Sequence, residues 1–432
     1  MASVVAVPSV RSSREDRVPR QQLIAAVDVG TTKACALLGE VTEAGTVVIL
    51  GAGLCPSRGM RRGAVVNMAA TTDCIATAVA ELEQLCDRHV RSAYVSIAGR
   101  QIQSQNSRGV TALHGNGYLV QGEDVQRAVA AAQALAVPAD RRVIHVEPRR
   151  YWIDGVDGIQ DPRGMAGQRL EVEAHVVTGA VNPMQNLIHC VEKTGVKAEQ
   201  LVLQPLASGE AITTESERQL GVAVVDIGGG TTDLAIYLDG TVWYTKVLPM
   251  GGRNVTNDIA IGLNVPFGVA ERLKLTYGHA IPEAVEGLEP VEVPGFEAGW
   301  LQEVPQEFLA EIIEARMEEI LGTVSRELRD IGCHGLLGGG VVLTGGVSDQ
   351  RGLRELAADV LEMPVRKGQP HRVEGLSERL MAPTFATGLG LLVWGSRRNP
   401  HPSRHYVAPR HRVMRSGPWM RRVLRFLRAF LP

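Results

Sequence analysis

Residues 221–238 read GVAVVDIGGGTTDLAIYL. An apolar run ending in Asp226 turns through Gly228, Gly229 and Gly230, presents Thr231, Thr232 and Asp233, and resumes as a second apolar run. That pattern predicts a β-hairpin closed by a glycine turn. Glycine reaches backbone angles closed to other residues, and without a side chain its N–H groups can converge on an anion. The turn is therefore predicted to cradle phosphate. The same grammar occurs in residues 23–41, LIAAVDVGTTKACALLGEV, where Asp28 precedes Gly30, Thr31, Thr32 and Lys33 between two apolar runs. Either stretch alone reads equally well as an ordinary hairpin. Their repetition, each with an acid two residues before the glycine and a Thr-Thr pair after, favours a common task. Neither G-x-G-x-x-G nor G-x-x-x-x-G-K-[ST] stands at a strand-to-helix junction, so these are not Rossmann or Walker motifs. Two such clamps facing each other would hold a nucleotide.

At 432 residues the chain is long enough for roughly two to four domains. It is 45% hydrophobic and 21% charged, the balance of a soluble globular protein. The six cysteines, Cys35, Cys55, Cys74, Cys86, Cys190 and Cys333, show no C-x-x-C pairing and no metal-like spacing with histidine, so they read as reduced thiols. No apolar run approaches the ~18 residues needed to span a bilayer, and residues 1–22 carry charge where a signal peptide needs an apolar core. An intracellular protein is expected. Net charge is −2, yet residues 397–432 hold ten arginines and no acid, and removing those ten charges leaves −12 for the first 396 residues. The split points to an anionic surface as partner of the tail.

Residues 1–22 read as a disordered leader. A third short strand is expected at 47–50, a loop at 56–63, and a helix at 69–90 with Ile75, Val79, Leu82 and Leu85 at helical spacing. Residues 92–168 read as an insertion of strands around one helix at 123–136, and 154–167 as its closing surface loop. Residues 203–212, LQPLASGEAI, predict a Pro-started helix of small residues able to bridge two halves, mirrored by 383–395. Helices are expected at 182–193, 254–261, 266–277, 305–330 and 350–361, and a strand at 338–346. Two similar halves suggest an internal duplication.

This order of motifs resembles the actin/Hsp70/sugar-kinase ATPase superfamily, whose phosphate hairpins and adenosine loop match VDVGTTK (27–33), VDIGGGTTD (225–233) and VVLTGGVSDQRGL (341–353). Within it the chain is most similar to the FtsA family, the bacterial cell-division homologues of actin. That likeness is carried by CPSRGMRRGAVVN (55–67), SAYVSIAGRQIQSQN (92–106), VTNDIAIGL (255–263) and GLGLLVWG (388–395). It covers about 23–395 and resumes in the final helix. The resemblance implies a two-lobed α/β actin-like ATPase fold of duplicated ribonuclease-H-like domains, with an inserted α+β subdomain, 1C, in place of actin subdomain 1B. Its layout would be lobe IA at 23–91, 168–206 and 364–396, the insert at 92–167, lobe IIA at 207–250 and 337–363, lobe IIB at 251–336, a basic linker at 397–416 and a terminal helix at 417–432.

Carried over position by position, the resemblance implies ATP and Mg²⁺ as ligands. Asp28 and Asp226 would hold the metal through waters. Gly30, Thr31, Thr32, Lys33 and Gly228, Gly229, Gly230, Thr231 and Thr232 would bind phosphates. Glu271 and Lys274 would reach the ribose, as their i, i+3 spacing permits, or form a solvated helix pair. Gly345, Gly346 and Ser348 would line the adenine pocket. Gln204 stands where the family orients a water, or simply caps its helix. Gln can hold a water but cannot take its proton, so ATP turnover is expected to be slow or absent. Arg253 stands where the family often has Asp or Asn.

In residues 417–432, GPWMRRVLRFLRAFLP, Trp419, Met420, Val423, Leu424, Phe426, Leu427, Phe430 and Leu431 share one face at ~100° per residue. Arg421, Arg422, Arg425 and Arg428 share the other. A core-packing helix could show the same split, but purely cationic charge opposite Trp and Phe suits anionic headgroups above and acyl chains below. Nucleic acid is disfavoured, because the apolar face would have nowhere to go. With this tail, the resemblance to the FtsA family implies a peripheral protein on the cytoplasmic face of the inner membrane at midcell, in contact with anionic inner-membrane lipids. The same resemblance implies that it would self-associate into filaments, bind the C-terminal peptide of the tubulin-like ring protein FtsZ on lobe IIB, and recruit later division proteins through the insert. The alternatives are a pilus-assembly ATPase of the PilM kind, or a small-molecule kinase of the same superfamily.

Overall fold

The computed structural model describes residues 22–114, 119–296, 301–375, 378–398 and 407–409. The leader up to residue 21, most of the basic linker and the whole helix expected at 417–432 lie outside the described residues.

Both glycine turns close hairpins, and the sheets built on them share one strand order. Gln22–Val29 runs antiparallel to Lys33–Val41, with Asp28 opposite Cys35, and Lys33–Val41 runs antiparallel to Val47–Pro56. On its other side Gln22–Val29 is parallel to Ser92–Ile97, itself parallel to Lys197–Leu203. In the second half Val222–Ile227 is antiparallel to Thr232–Leu238, with Asp226 opposite Asp233, and Thr241–Leu248 continues the meander. Val341–Thr344 and Val365–Lys367 then add in parallel. Three antiparallel strands followed by two parallel ones, twice over, is the duplication that the motifs imply. The hairpin strands are apolar on both faces because layers cover both, as central strands of such sheets require.

The two halves meet through the helices Gln204–Ile212 and Ala386–Arg398. A Cβ on Gly390 would stand 1.7 Å from the Ala207 carbonyl oxygen, so the pair packs backbone against backbone and only glycine fits the crossing. Behind the second sheet, Gln306–Asp330 buries Leu309, Ile313, Met317, Ile320, Val324 and Leu328 at helical spacing, and shares one apolar cluster with Gly252–Gly262 and Phe267–Thr276.

The insertion is a four-stranded sheet ordered Val156–Ile159, Arg141–Ile153, Arg169–Ala180, Ile102–Ala112, packed on the helix Gly122–Ala136. Its limits differ from the expected 92–167. Ser92–Ile97 belongs to the six-stranded sheet of the first half, whereas Arg169–Ala180, assigned from sequence to lobe IA, is bonded along its length between two strands of the insert. Likewise Val365–Lys367, expected in lobe IA, pairs into the second sheet. In each case a strand follows its hydrogen-bonding neighbours, which composition does not display.

Several elements also end elsewhere. The helix expected at 69–90 is Met68–Cys86, stopped by Asp87 in the left-handed region, and Arg88–Val90 is a strand. Leu85, read as part of its apolar face, is 65% exposed. The strand expected at 47–50 runs to Pro56, its second half masked by Gly51 and Gly53; a Cβ on Gly53 would lie 1.9 Å from the Ala78 carbonyl oxygen of the covering helix. Val156–Ile159 forms a strand within the expected loop 154–167. The helix expected at 350–361 begins at Leu353, and residues 383–385 form a single 3₁₀ turn before the second bridging helix.

Candidate functional site

The hairpin turns face each other on the wall of a cavity of about 360 Å³ between the halves. Each turn is closed by the same bond, Gly30 N–H to the Lys33 carbonyl at 2.9 Å and Gly228 N–H to the Thr231 carbonyl at 2.9 Å. A Cβ on Gly229 would sit 2.3 Å from Thr32 Cγ2, and one on Gly230 2.6 Å from Thr31 Oγ1. The turns therefore touch, and glycine at these positions is a steric necessity.

Asp28 and Asp226 lie on the cavity wall, each 6% exposed. Ser96 Oγ donates to Asp28 Oδ1 at 2.7 Å, and Ser208 Oγ donates to Asp226 Oδ2 at 2.6 Å with Thr387 Oγ1 at 3.2 Å. Among the described residues the second oxygen of each carboxylate accepts no hydrogen bond. Burial pushes both acids up, and for Asp226, raised to about 6, the neighbouring Asp28 charge adds to it. Two hard oxygen donors that repel each other in a desolvated cleft fit a divalent cation held through water. Lys33 Nζ donates to the Thr384 carbonyl and lies 3.5 Å from the Phe385 ring centroid; burial lowers its pKa against the raising pull of Asp28.

Gln204 is the first residue of its helix, yet its side chain caps nothing. Nε2 reaches Asp28 Oδ1 at 3.4 Å and Ser96 Oγ at 3.3 Å, and the residue lines the cavity. The capping reading is thereby replaced. Glu271 and Lys274 also line it, joined by a 2.8 Å ion pair in which Lys274 is buried and also donates to Thr256 Oγ1 at 2.8 Å, so they are not a solvated surface pair. Gly345 and Gly346 line the wall beside Asp226, and a Cβ on Gly345 would meet Asp226 Oδ1 at 2.4 Å.

Two expected contacts are not on this wall. Thr232 is fully buried and its Oγ1 donates to the Met250 carbonyl at 3.0 Å, because it starts a strand and points to the face opposite its neighbour Thr231. Ser348 is buried with its hydroxyl turned back onto the Gly345 carbonyl at 2.7 Å, closing the loop from inside. Sequence reasoning missed Ser96, Ser208 and Thr387, the hydroxyls that hold the acids. The only available signal was a small polar residue in each apolar segment.

The chain matches the family described as "Cell division protein FtsA" over residues 223–390, and the "SHS2 domain inserted in FTSA" over 99–178, which spans the four-stranded insert. It is 42% identical over 374 residues to cell division protein FtsA of Pseudomonas aeruginosa, covering 87% of this chain and 89% of that one. To the Escherichia coli K12 protein of the same name it is 36% identical over 415 residues, covering 94% and 98%. Among solved structures it is similar to a chain of the PilM-PilN type IV pilus biogenesis complex, with TM-score 0.63 at 18% identity, covering 86% of this chain and 98% of that one. The ethanolamine utilization protein EutJ of Carboxydothermus hydrogenoformans follows at TM-score 0.51 and 16% identity, covering 87% and 90%. The fold is therefore the actin-like one, with an inserted α+β subdomain.

Proposed function

The chain belongs to the FtsA family of cell division proteins, and from that premise we propose that it is an ATP-binding scaffold that ties the FtsZ ring to the inner membrane and recruits later division proteins. The observation that carries the nucleotide part is the meeting of two equivalent glycine turns on one cavity, with Asp28 and Asp226 beside them. The turns and Lys33 bind phosphates, Glu271 and Lys274 address the ribose, and Gly345 and Gly346 flank the base. Bound Mg²⁺ supplies charge neutralisation of the phosphates, and Asp28 and Asp226 are the residues that hold it. Gln204, steadied by Ser96 and Asp28, orients a water but cannot accept its proton, which makes hydrolysis slow.

Membrane attachment rests on the sequence of 417–432, with its arginines opposite Trp419, Phe426 and Phe430. No helix among the described residues is long and apolar enough to cross a membrane. Lobe IIB, about 251–336, is the proposed dock for the FtsZ C-terminal peptide. The pilus-assembly reading has the fold likeness in its favour, but identity to division proteins and the amphipathic tail favour the septum. A fluorescent fusion in the native host decides the matter: midcell bands are expected, lost on deletion of 417–432. Polar foci or a diffuse signal from the full chain would discard this function.

A further inference from the structure

We propose that Arg253 is a phosphate-gripping residue of the cleft, reaching the outer phosphates of a nucleoside di- or triphosphate from the second glycine turn; the inference rests on the nucleotide reading of that cavity. Arg253 is the second residue of the helix Gly252–Gly262. Its own N–H donates to the Gly229 carbonyl at 2.8 Å, and the Gly252 N–H donates to the Gly228 carbonyl at 2.9 Å. Two backbone bonds thus fix the start of this helix on the turn, so the Arg253 Cα has no freedom to leave it. The residue lines the cavity and is exposed.

Charge accounting around the wall singles it out. The cavity is lined by the cations Lys33, Arg253, Lys274 and Arg351 and by the acids Asp28, Asp226, Glu271 and Asp349. Lys274 is engaged by Glu271 at 2.8 Å, Asp349 by Lys367 at 3.0 Å, and Lys33 by the Thr384 carbonyl with Asp28 nearby. Arg253 and Arg351 have no carboxylate partner among the described residues. Arg351 follows the Gly346–Asp349 turn, whereas Arg253 opens a helix whose first two N–H groups are bonded to the carbonyls of the glycine turn.

The Arg253 guanidinium rests over the Phe267 ring, 5.1 Å from its centroid, and Phe267 is 40% exposed. A cation–π contact in water is weak and readily exchanged for a better partner. No hydrogen bond engages the guanidinium's five N–H donors among the described residues, and that planar fork matches two phosphate oxygens at once. Arg253 therefore has the position, the charge and the unspent donors to close on phosphates held by Gly228, Gly229 and Gly230. A nucleoside without phosphates would gain nothing from it.

The test is calorimetric titration of the full chain with ATP, ADP and adenosine in Mg²⁺ buffer, for wild type, Arg253→Gln and Arg253→Lys. Arg253→Gln should weaken ATP and ADP by about tenfold or more, as loss of a charge-assisted pair does. Adenosine affinity should stay unchanged, and Arg253→Lys should restore part of the loss. Unchanged ATP affinity in Arg253→Gln would overturn the proposal, as would equal loss for ATP and adenosine, which would make Arg253 a structural residue. A wild-type chain that binds none of the three would instead bring down the nucleotide reading beneath it.

Discussion

Asp226 is a charged side chain kept where water scarcely reaches, and its cost is legible in the pH dependence of stability. Its native pKa is raised from 3.8 to about 6, chiefly by burial. The native state therefore binds the proton more tightly than the unfolded chain, and this group penalises folding above pH 6 while the penalty disappears as pH falls towards 3.8. Asp226→Asn should stabilise the ligand-free protein at pH 8 by on the order of 2 kcal/mol, a gain that shrinks as pH falls through 6, in urea unfolding at a series of pH values. The same protonation should weaken Mg·ATP binding to the wild type as pH drops through 6. At Gln204, slow ATP turnover is expected, because the side chain can orient a water but cannot take its proton; Gln204→Ala should lower an already slow phosphate release, and wild-type release near 10 s⁻¹ would mean that another residue activates the water. Both acids were legible because each stands two residues before a glycine turn. Their partners were not: Ser208 and Thr387 lie 18 and 161 residues from Asp226 and reach it only because two helices cross at the cleft. Thr232 misled for a related reason, since adjacent strand residues point to opposite faces and the Thr-Thr pair does not say which one sees the ligand.

Elements were most legible where period and punctuation agreed. The two hairpins, the long helix Gln306–Asp330 and the Pro-started helix Gln204–Ile212 all follow their sequence signals. Thr241–Leu248 passed unread because TVWYTKVL mixes polar and aromatic residues on an edge strand that is only partly buried. The crossing of the bridging helices gives the sharpest element-scale prediction. Gly390→Val puts side-chain atoms onto the Ala207 carbonyl and should destabilise by more than about 2 kcal/mol in denaturant unfolding, where a solvent-facing substitution such as Gly122→Ala changes little. The terminal stretch 417–432 makes an independent one. Eight apolar side chains at about 1–2 kcal/mol each when buried are offset by the ordering of a helix that is marginal alone, so one tail should bind anionic liposomes reversibly and a filament of tails far more tightly. Trp419→Glu or Phe426→Glu should release the protein from liposomes in co-sedimentation while nucleotide binding persists. Retention by the chain lacking 417–432 would transfer membrane contact to another surface.

At the scale of the whole molecule, the insert does more than hang from the first half. Ser104 Oγ donates to the Thr245 carbonyl at 2.7 Å, His175 Nε2 meets Thr245 Oγ1 at 2.9 Å, and the Arg149 guanidinium lies 3.5 Å from the Trp243 ring centroid. Burial pushes the His175 pKa down to about 3, so its bond to Thr245 is made by a neutral ring throughout the physiological range. Thr245→Val should leave the buried His175 Nε2 without its partner, the Nδ1 bond to Asn106 remaining, and cost about 1–3 kcal/mol, seen as a lower unfolding midpoint. This contact between insert and second half was invisible in the sequence, because it joins single side chains on strands far apart in the chain that share no periodic signal. The insertion itself was visible through motif order. What the two halves enclose is the heart of the matter: two copies of one hairpin, brought face to face, with Asp28 and Asp226 beside a single cavity. The most direct measurement is titration of the purified full chain with ATP in Mg²⁺, beside the Asp226→Ala variant. Saturable binding is predicted, weakened at least about tenfold by the substitution as the cation loses its anchoring carboxylate. Equal affinity of the two proteins, or no binding by the wild type, would contradict the assignment of the paired turns as a nucleotide clamp.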